Sequence, residues 1–588
     1  MLEPRGTTGY SGTVRARLSL AIALLVFFPA RAWGGGFDIP DQGTQALGRG
    51  AAFVAKADDA TAIYYNPAGL ARQRGTHLLV NGSLSLASFQ FQRSGQFPDN
   101  PSNPATPWGG TPFPLVRNSG GPALTPFVAV TTDFGMYDRL TVAAGVYSAP
   151  MVGNRTFPYA LGGSPAASRY DFVQSRATFL YPTASLGYRV TRWFDVGVSA
   201  HVVLGRYDQS WVSYIDTGQC PNVEYQPCDS RSTLNATAVT VAATVGAMLR
   251  PSKNFSIGMT FHTPTTIRAT GTLTSSQPAN FSGQVGSGAA IVSSTLPWTA
   301  RFGIRYIEMD HTFEVYDIEL DATYEAWGAA QGQGVRVRAS SFGSLGDIDA
   351  LMVHGYKNTY GVRAGGAYNF KALGGVLSLR AGGYFDSPAT DYAYTRVDYD
   401  TLAKIAGTIG VGYKIGLFGI DFGYAAVASI PRLVGQGKGE VYPLNLGQGG
   451  RPVDGLGGLL DPINEGSYRG FTHILSLGIG IALDPLFGPK RPVHYGNSYE
   501  SEYVSETTQA EKAEPVVTAL PKEPKATPVV PAQDAKKAVP SHTEVGTPQP
   551  SPAAKTESNK PPKPKVTPKP KVAPKPKVTP KPKDVKND

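Results

Sequence analysis

The stretch "FEVYDIELDATYEAW", residues 313–327, changes character at every step. Tyr316, Ile318, Leu320, Ala322, Tyr324 and Ala326 take one parity, while Asp317, Glu319, Asp321 and Glu325 take the other. A helix would scatter these residues around its axis; a strand sorts them onto two faces, one greasy and one acidic. Such a strand suits a wall between two solvents. Hydrocarbon cannot satisfy backbone N–H and C=O groups, so a sheet that faces lipid must close on itself, apolar side outward and polar side toward the bore. Trp327, at the end of the stretch, is read as part of the aromatic girdle where such a wall meets the head groups.

Working outward, the same period recurs. Residues 239–249 place Val239, Val241, Ala243, Val245, Ala247 and Leu249 on one face, and after "RPSKN" the pattern resumes with Phe255, Ile257, Met259 and Phe261. Ile405, Ile409, Val411, Tyr413 and Ile415 run to a turn at Gly416-Leu417, followed by Phe418, Ile420, Phe422 and Tyr424. Counting such segments to residue 483 gives about fourteen strands, an even number, as in single-chain outer-membrane barrels. Connections alternate between long (93–121, 150–172, 211–233) and short ("GMYD", "TRW", "PSK"), which puts long loops outside and tight turns on the periplasmic rim. The fold class expected is all-β, a transmembrane antiparallel β-barrel in the bacterial outer membrane.

Charge and processing signals agree. The formal charge of +10 resides at the two ends of the chain and leaves the middle about neutral, which argues against a nucleic-acid partner. Arg15 and Arg17 precede the apolar run Leu18 to Phe28 and the small-x-small pattern Ala30-Arg31-Ala32, so residues 1–32 read as a signal peptide, too short to span a membrane. Cys220 and Cys228, in "CPNVEYQPC", are expected to form a disulfide in an oxidising compartment. With no His-x-x-x-His pair and no Gly-x-Ser-x-Gly elbow, the chain does not read as an enzyme, and no cofactor or metal set is expected. The four carboxylates admit a general acid–base or Ca²⁺ reading, but both need partners from other strands. A solvated lumen face paired with inward arginines from neighbouring strands is the simpler assignment.

Residues 33–75 fit no wall strand. They contain "DDATAIYYNPAGL" (58–70), Pro-broken and too apolar to float in water, and they are expected to fold inside the barrel as a hatch. Residues 76–484 are the barrel. Residues 485–588, rich in Pro and Lys and closing on "PKPKVTPKPKVAPKPKVTPKPK", are expected to be a disordered periplasmic tail, with the cell wall or an acidic partner as its candidate contact.

"ALGRG", "DDATAIYYNPAGL", "YGVRAGGAYNF", "LSLRAGGYFDSPA" and "ELDATYEAW" together resemble the FadL-type family of outer-membrane transporters for long-chain fatty acids and other hydrophobic compounds. The resemblance covers about residues 34–483, with Asn66, Pro67 and Ala68 as the hatch motif. It implies passive uptake of hydrophobic small molecules, captured by extracellular loops and released sideways through the wall into membrane lipid. In "PMVGNRTFPYALGGSPAASRY" (150–170), Met151, Val152, Phe157, Tyr159 and Leu161 are the candidate capture residues, and Asn154, Arg155 and Arg169 are candidates for a carboxylate head group. The alternative function is a structural or adhesive barrel tethered to the cell wall by its basic tail.

Overall fold

A computed structural model of the chain describes residues 40–484, apart from 99–103, 105, 136, 149–153, 216–219, 221, 279–285, 331–333, 341–346 and 444–460. The signal segment, the tail, Met151 and Val152 therefore lie outside the described residues. Fourteen antiparallel wall strands follow one another in chain order. They are β1 (His77–Arg93), β2 (Ala123–Thr132), β3 (Leu140–Ser148), β4 (Gln174–Arg189), β5 (Phe194–Tyr214) and β6 (Asp229–Ser252). Next come β7 (Phe255–His262, continued as Thr265–Ser275), β8 (Ser287–Leu296, continued as Thr299–Asp310), β9 (Phe313–Glu325, continued as Gly334–Ala339) and β10 (Ile348–Val353, continued as Thr359–Ala372). The last four are β11 (Gly375–Asp386), β12 (Lys404–Ile415), β13 (Phe418–Val434) and β14 (Gly466–Ala482). β14 pairs with β1 from Ala482 opposite His77 to Gly466 opposite Arg93, so the sheet closes and leaves no edge in the membrane.

The two faces segregate as the alternation demands. On β9, Ile318 and Leu320 are exposed on the outside of the wall, and Asp317, Glu319 and Asp321 are buried within. Two aromatic rows bound the apolar band. Phe261, Trp298, Tyr324 and Tyr360 form the outer row with ring centroids 5.7, 5.0 and 4.9 Å apart, and Phe255, Tyr306 and Tyr316 lie toward the tight turns. From Trp298 to Tyr306, and from Tyr316 to Tyr324, eight residues at about 3.4 Å each on a strand tilted by about 40° span roughly 20 Å, close to the height of a lipid-facing band.

Trp327 is not in that row. β9 pauses at Glu325 and the chain turns inward as a 3-10 helix (Trp327–Ala329), so Ala326 and Trp327 are buried and the Trp327 indole donates to Glu325 at 2.7 Å. Trp298 and Tyr324 occupy the girdle instead. This pause is shared by neighbours: β7 to β10 are all interrupted at one height, where His262 faces Thr299, Thr299 faces Glu325 and Glu325 faces Thr359. Pro264 and Pro297 fall in two of the interruptions, and neither can donate to a ladder.

Inside the wall lies the segment before β1, built from α1 (Thr44–Gly48), α2 (Ala62–Tyr65) and a 3-10 helix (Pro67–Arg72). Asn66 is extended, its Oδ1 accepts from the Ala68 N–H at 3.1 Å, and Pro67 opens the helix where no N–H is needed. Ala52, Phe53, Ala57, Ile63, Ala68 and Leu70 are almost wholly buried, so this segment is packed into the bore.

Candidate functional site

The described part of the segment expected as the hatch (33–75) is seated on glycines. A Cβ at Gly187 of β4 would come within 2.5 Å of Ala71 N, at Gly246 of β6 within 2.2 Å of Asn66 Oδ1, and at Gly258 of β7 within 2.2 Å of Val54 O. Across the bore, a Cβ at Gly365 of β10 would stand 1.9 Å from Arg49 O, and one at Gly410 of β12 would stand 3.0 Å from the Gly48 Cα. Only glycine lets two backbones approach so closely, which gives "YGVRAGGAYNF" and "LSLRAGGYFDSPA" a structural reason. Asn66 adds a polar tie: its Nδ2 donates to Val54 O at 2.9 Å and to Ala247 O on the wall at 3.2 Å.

The acidic face of β9 is the hatch's other anchor. Asp317 accepts from Arg49 of the hatch (3.1 and 2.5 Å) and from Arg305 of β8 (2.7 Å). Glu319 lies 3.3 Å from Arg49 and accepts from Ala55 N at 2.7 Å; Asp321 accepts from Phe53 N at 2.8 Å and Val54 N at 3.1 Å. These carboxylates are buried, so the solvated lumen face expected from the sequence is corrected on one point: they are paired with an inward arginine, but they bind the hatch and not water. Arg72 makes a second ionic tie, to Asp195 at 2.9 Å, which Arg250 also contacts.

Outward of the hatch the bore is aromatic. Tyr147 of β3 stacks on Tyr181 of β4 (5.1 Å) and on Phe127 of β2 (6.0 Å), meets Tyr64 of the hatch edge-on (5.5 Å), and lies 6.1 Å from His201 of β5. His201 stacks on His262 of β7 at 5.6 Å, and its two ring nitrogens meet the hydroxyls of Thr183 (2.8 Å) and Thr244 (2.9 Å). Arg301 lies over the Tyr64 ring at 4.7 Å. Water-filled pores hold charges at such inward positions; here most of the inward surface is stacked rings.

The outer loops close over this lining. Val397 and Leu402, from the loop between β11 and β12, join the same apolar cluster. Arg155 donates to Val397 O at 3.0 Å, and Asp171 accepts from Val397 N and pairs with Arg396 at 2.6 Å. Glu224 lies between Arg93 and Arg169, each at 2.6 Å; burial disfavours its charge, but the two guanidiniums outweigh this and hold its carboxyl below the usual glutamate value. A disulfide joins Cys220 to Cys228 in the same loop.

The candidate capture residues are dispersed by this packing. Phe157 turns into the bore and is buried; Tyr159 is half-buried and donates to Asp229 at 3.1 Å; Leu161 is half-buried against the same cluster. Arg169 is wholly enclosed by Glu224, Asp229 and Tyr170, so it holds the cap together, and Asn154 accepts from Arg176 at 2.7 Å. Tyr147, Tyr181, His201 and His262 were not singled out from the sequence. Their signal was present in β4, where the inward parity at 177, 179 and 181 reads Ala, Phe, Tyr and carries no charge.

A family model described as "Outer membrane protein transport protein (OMPP1/FadL/TodX)" matches residues 25–431, more than half of the chain. A putative outer membrane protein of Neisseria meningitidis serogroup B is 30% identical over 124 residues, 21% of this chain and 24% of the relative, so the match spans about a quarter of that protein. Among solved structures, a Pseudomonas aeruginosa FadL homologue is similar with a TM-score of 0.59 at 16% identity, covering 76% of this chain and 100% of its own. The Ralstonia pickettii toluene transporter TbuX is similar with a TM-score of 0.53 at 16% identity, covering 76% and 99%. At such identities the likeness is one of fold.

Proposed function

Because the chain belongs to the outer membrane protein transport protein family (OMPP1/FadL/TodX), we propose that it carries hydrophobic compounds passively inward across the outer membrane, by capture among the outer loops and lateral release through the wall. The observation that carries this reading is the lining outward of the hatch: stacked rings from Phe127 to His262 over a seat closed by glycine contacts and buried ion pairs. An apolar molecule gains by leaving water for such a lining. It gains nothing from a hydrated axial pore, and the hatch occupies that axis. The cargo class includes long-chain fatty acids and aromatic hydrocarbons such as toluene, which TbuX is named for transporting.

Uptake of radiolabelled oleate and toluene by cells with and without the protein tests this. Entry of either above the background of cells lacking it is expected, and competition between the two identifies the preferred class. Background entry of both overturns the transport reading.

A further inference from the structure

On the outside of the wall, where β14 meets β1, the lipid-facing surface ends in two arginines. Going up β14 from the tight turns, the exposed positions are Ile479, Leu477, Leu475, His473, Phe471 and then Arg469. His473 stacks on Tyr424 of β13 at 6.1 Å and lies 4.7 Å from Phe471, so rings bound the apolar band on this side too. Ile481 stands opposite Phe418 at the tight turn. From there to Phe471, ten residues at about 3.4 Å each on a strand tilted by about 40° span roughly 26 Å, close to the height of about 25 Å expected of such a band. Arg469, two residues further, lies roughly 5 Å beyond it. That is head-group depth, since the polar layers of a bilayer add about 5–7 Å on each side of its hydrocarbon.

Arg469 is opposite Gln90 of β1, and on its other side Gln90 is opposite Arg117, from the two-residue strand Val116–Arg117 that takes over pairing with β1 above β2. The next residues in each strand, Tyr468, Phe91 and Val116, are buried in the bore, so Arg469, Gln90 and Arg117 form one outward row. Two strand spacings of about 4.8 Å set the arginine backbones roughly 10 Å apart, with a shorter side chain between them. A phosphate fits that space, because each guanidinium offers it a fork of paired N–H donors.

Nothing in the protein fills this role. Both arginines are exposed, and among the described residues neither has an ion pair and the Gln90 amide has no hydrogen bond. Arg336 and Arg338, exposed elsewhere on the outer rim, share Asp349 at 3.4 and 3.3 Å. The carboxylate of Glu465, four residues above Arg469, instead accepts from the backbone N–H groups of Lys438 (3.0 Å) and Gly439 (3.2 Å). Like charges in one row repel, so this pair opposes folding unless an anion lies between.

We propose that Arg117, Gln90 and Arg469 form a site on the barrel's outer surface for a phosphorylated glycolipid of the external leaflet. The two guanidiniums hold a sugar phosphate, and Gln90, with the exposed Ser88 hydroxyl beneath it, meets the polar groups of the sugar. Leu86, Phe471 and Leu475 lie below as an apolar surface for its acyl chains. The row stands on the side of the long loops, which faces that leaflet. Arg469 belongs to the last strand and Arg117 to the segment following the first, so a bound phosphate ties the two ends of the barrel across their closing seam. The inference depends on the barrel's place in the outer membrane and not on its cargo.

The test uses the purified full chain in detergent. The probes are bisphosphorylated lipid A, the same lipid stripped of both phosphates, phosphatidylglycerol and inorganic phosphate. Bisphosphorylated lipid A should bind tightest, more weakly as salt rises, and should raise the melting temperature. Arg117→Gln with Arg469→Gln should weaken its binding by roughly 25-fold, at about fivefold for each arginine, and abolish the rise in melting temperature. Ser88→Arg, which adds a third guanidinium beside the pair, should strengthen binding, a gain that misfolding cannot imitate. Lys253→Gln, at an exposed tight turn on the opposite rim, should bind as the parent does. Parental affinity in the double arginine variant overturns the site. Equal binding of lipid A with and without its phosphates overturns it as well, and phosphatidylglycerol or inorganic phosphate binding as tightly as lipid A overturns the assignment to a glycolipid.

Discussion

Replacing Arg49 by alanine tests how the hatch is held. The guanidinium is fully buried, donates twice to Asp317, lies 3.3 Å from Glu319 and donates through Nε to Ala52 O at 2.9 Å. Breaking a buried ion pair by removing one partner costs about 3–5 kcal/mol, because the remaining charge stays buried. Here Asp317 keeps Arg305 at 2.7 Å and Glu319 keeps the Ala55 N–H, so the lower end applies: about 3 kcal/mol, or roughly a hundredfold against the seated hatch. Arg49→Lys keeps the charge but not the paired donors, and an intermediate effect is expected. The assay is ion conductance of the purified protein in planar bilayers, with protease cleavage of the hatch as a second readout. Arg49→Ala should show intermittent large openings and faster cleavage than the parent. Unchanged conductance and unchanged cleavage refute the view that this network seats the hatch.

Gly365→Val places a side chain where Arg49 O already stands 1.9 Å from a Cβ position, and it should unseat the hatch and raise conductance as Arg49→Ala does. Replacing Cys220 and Cys228 by serine removes a bridge across eight residues, worth about 2.5 kcal/mol of loop-closure entropy; faster proteolysis within residues 215–229 is expected, with heat-resistant β-structure by circular dichroism retained. Glu224 is ionised more readily in the folded cap than in the unfolded chain, so its stabilising contribution is present above the ordinary glutamate pKa of about 4.3 and is lost as pH falls through its lower folded value. Cleavage of the outer loops by an acid-tolerant protease should therefore increase below about pH 4, and less so in Glu224→Gln, which has already lost that contribution.

Alternation in residues 313–325 was legible because lipid and bore are different solvents, and each residue of β9 answers to one of them. It stopped being informative at Glu325: Trp327 kept its parity but not its place, since the strand had ended and the chain turned inward. The inward direction of Asp317 and Glu319 was readable, but Arg49 lies 268 residues away from Asp317 and belongs to a segment without period. The chain has 68 glycines, and the service of some of them as a seat becomes visible only with the hatch in place. Phe157 read as an exposed loop residue, because nothing local to residues 150–170 announces that the outer loops fold down into the bore. The break in the β6–β7 ladder between Thr244 opposite His262 and Thr237 opposite Thr270 is a property of two strands together. Residues 229–252 form one unbroken strand, and only Pro264 on the facing strand hinted that pairing would fail.

The central claim is a barrel that admits apolar molecules while its hatch excludes water-soluble ones. Its most direct test is simultaneous uptake of labelled toluene and labelled sucrose by cells producing the full chain. The account predicts toluene entry above that of cells lacking the protein, with sucrose entry unchanged. Sucrose entering alongside toluene, or neither entering, contradicts it.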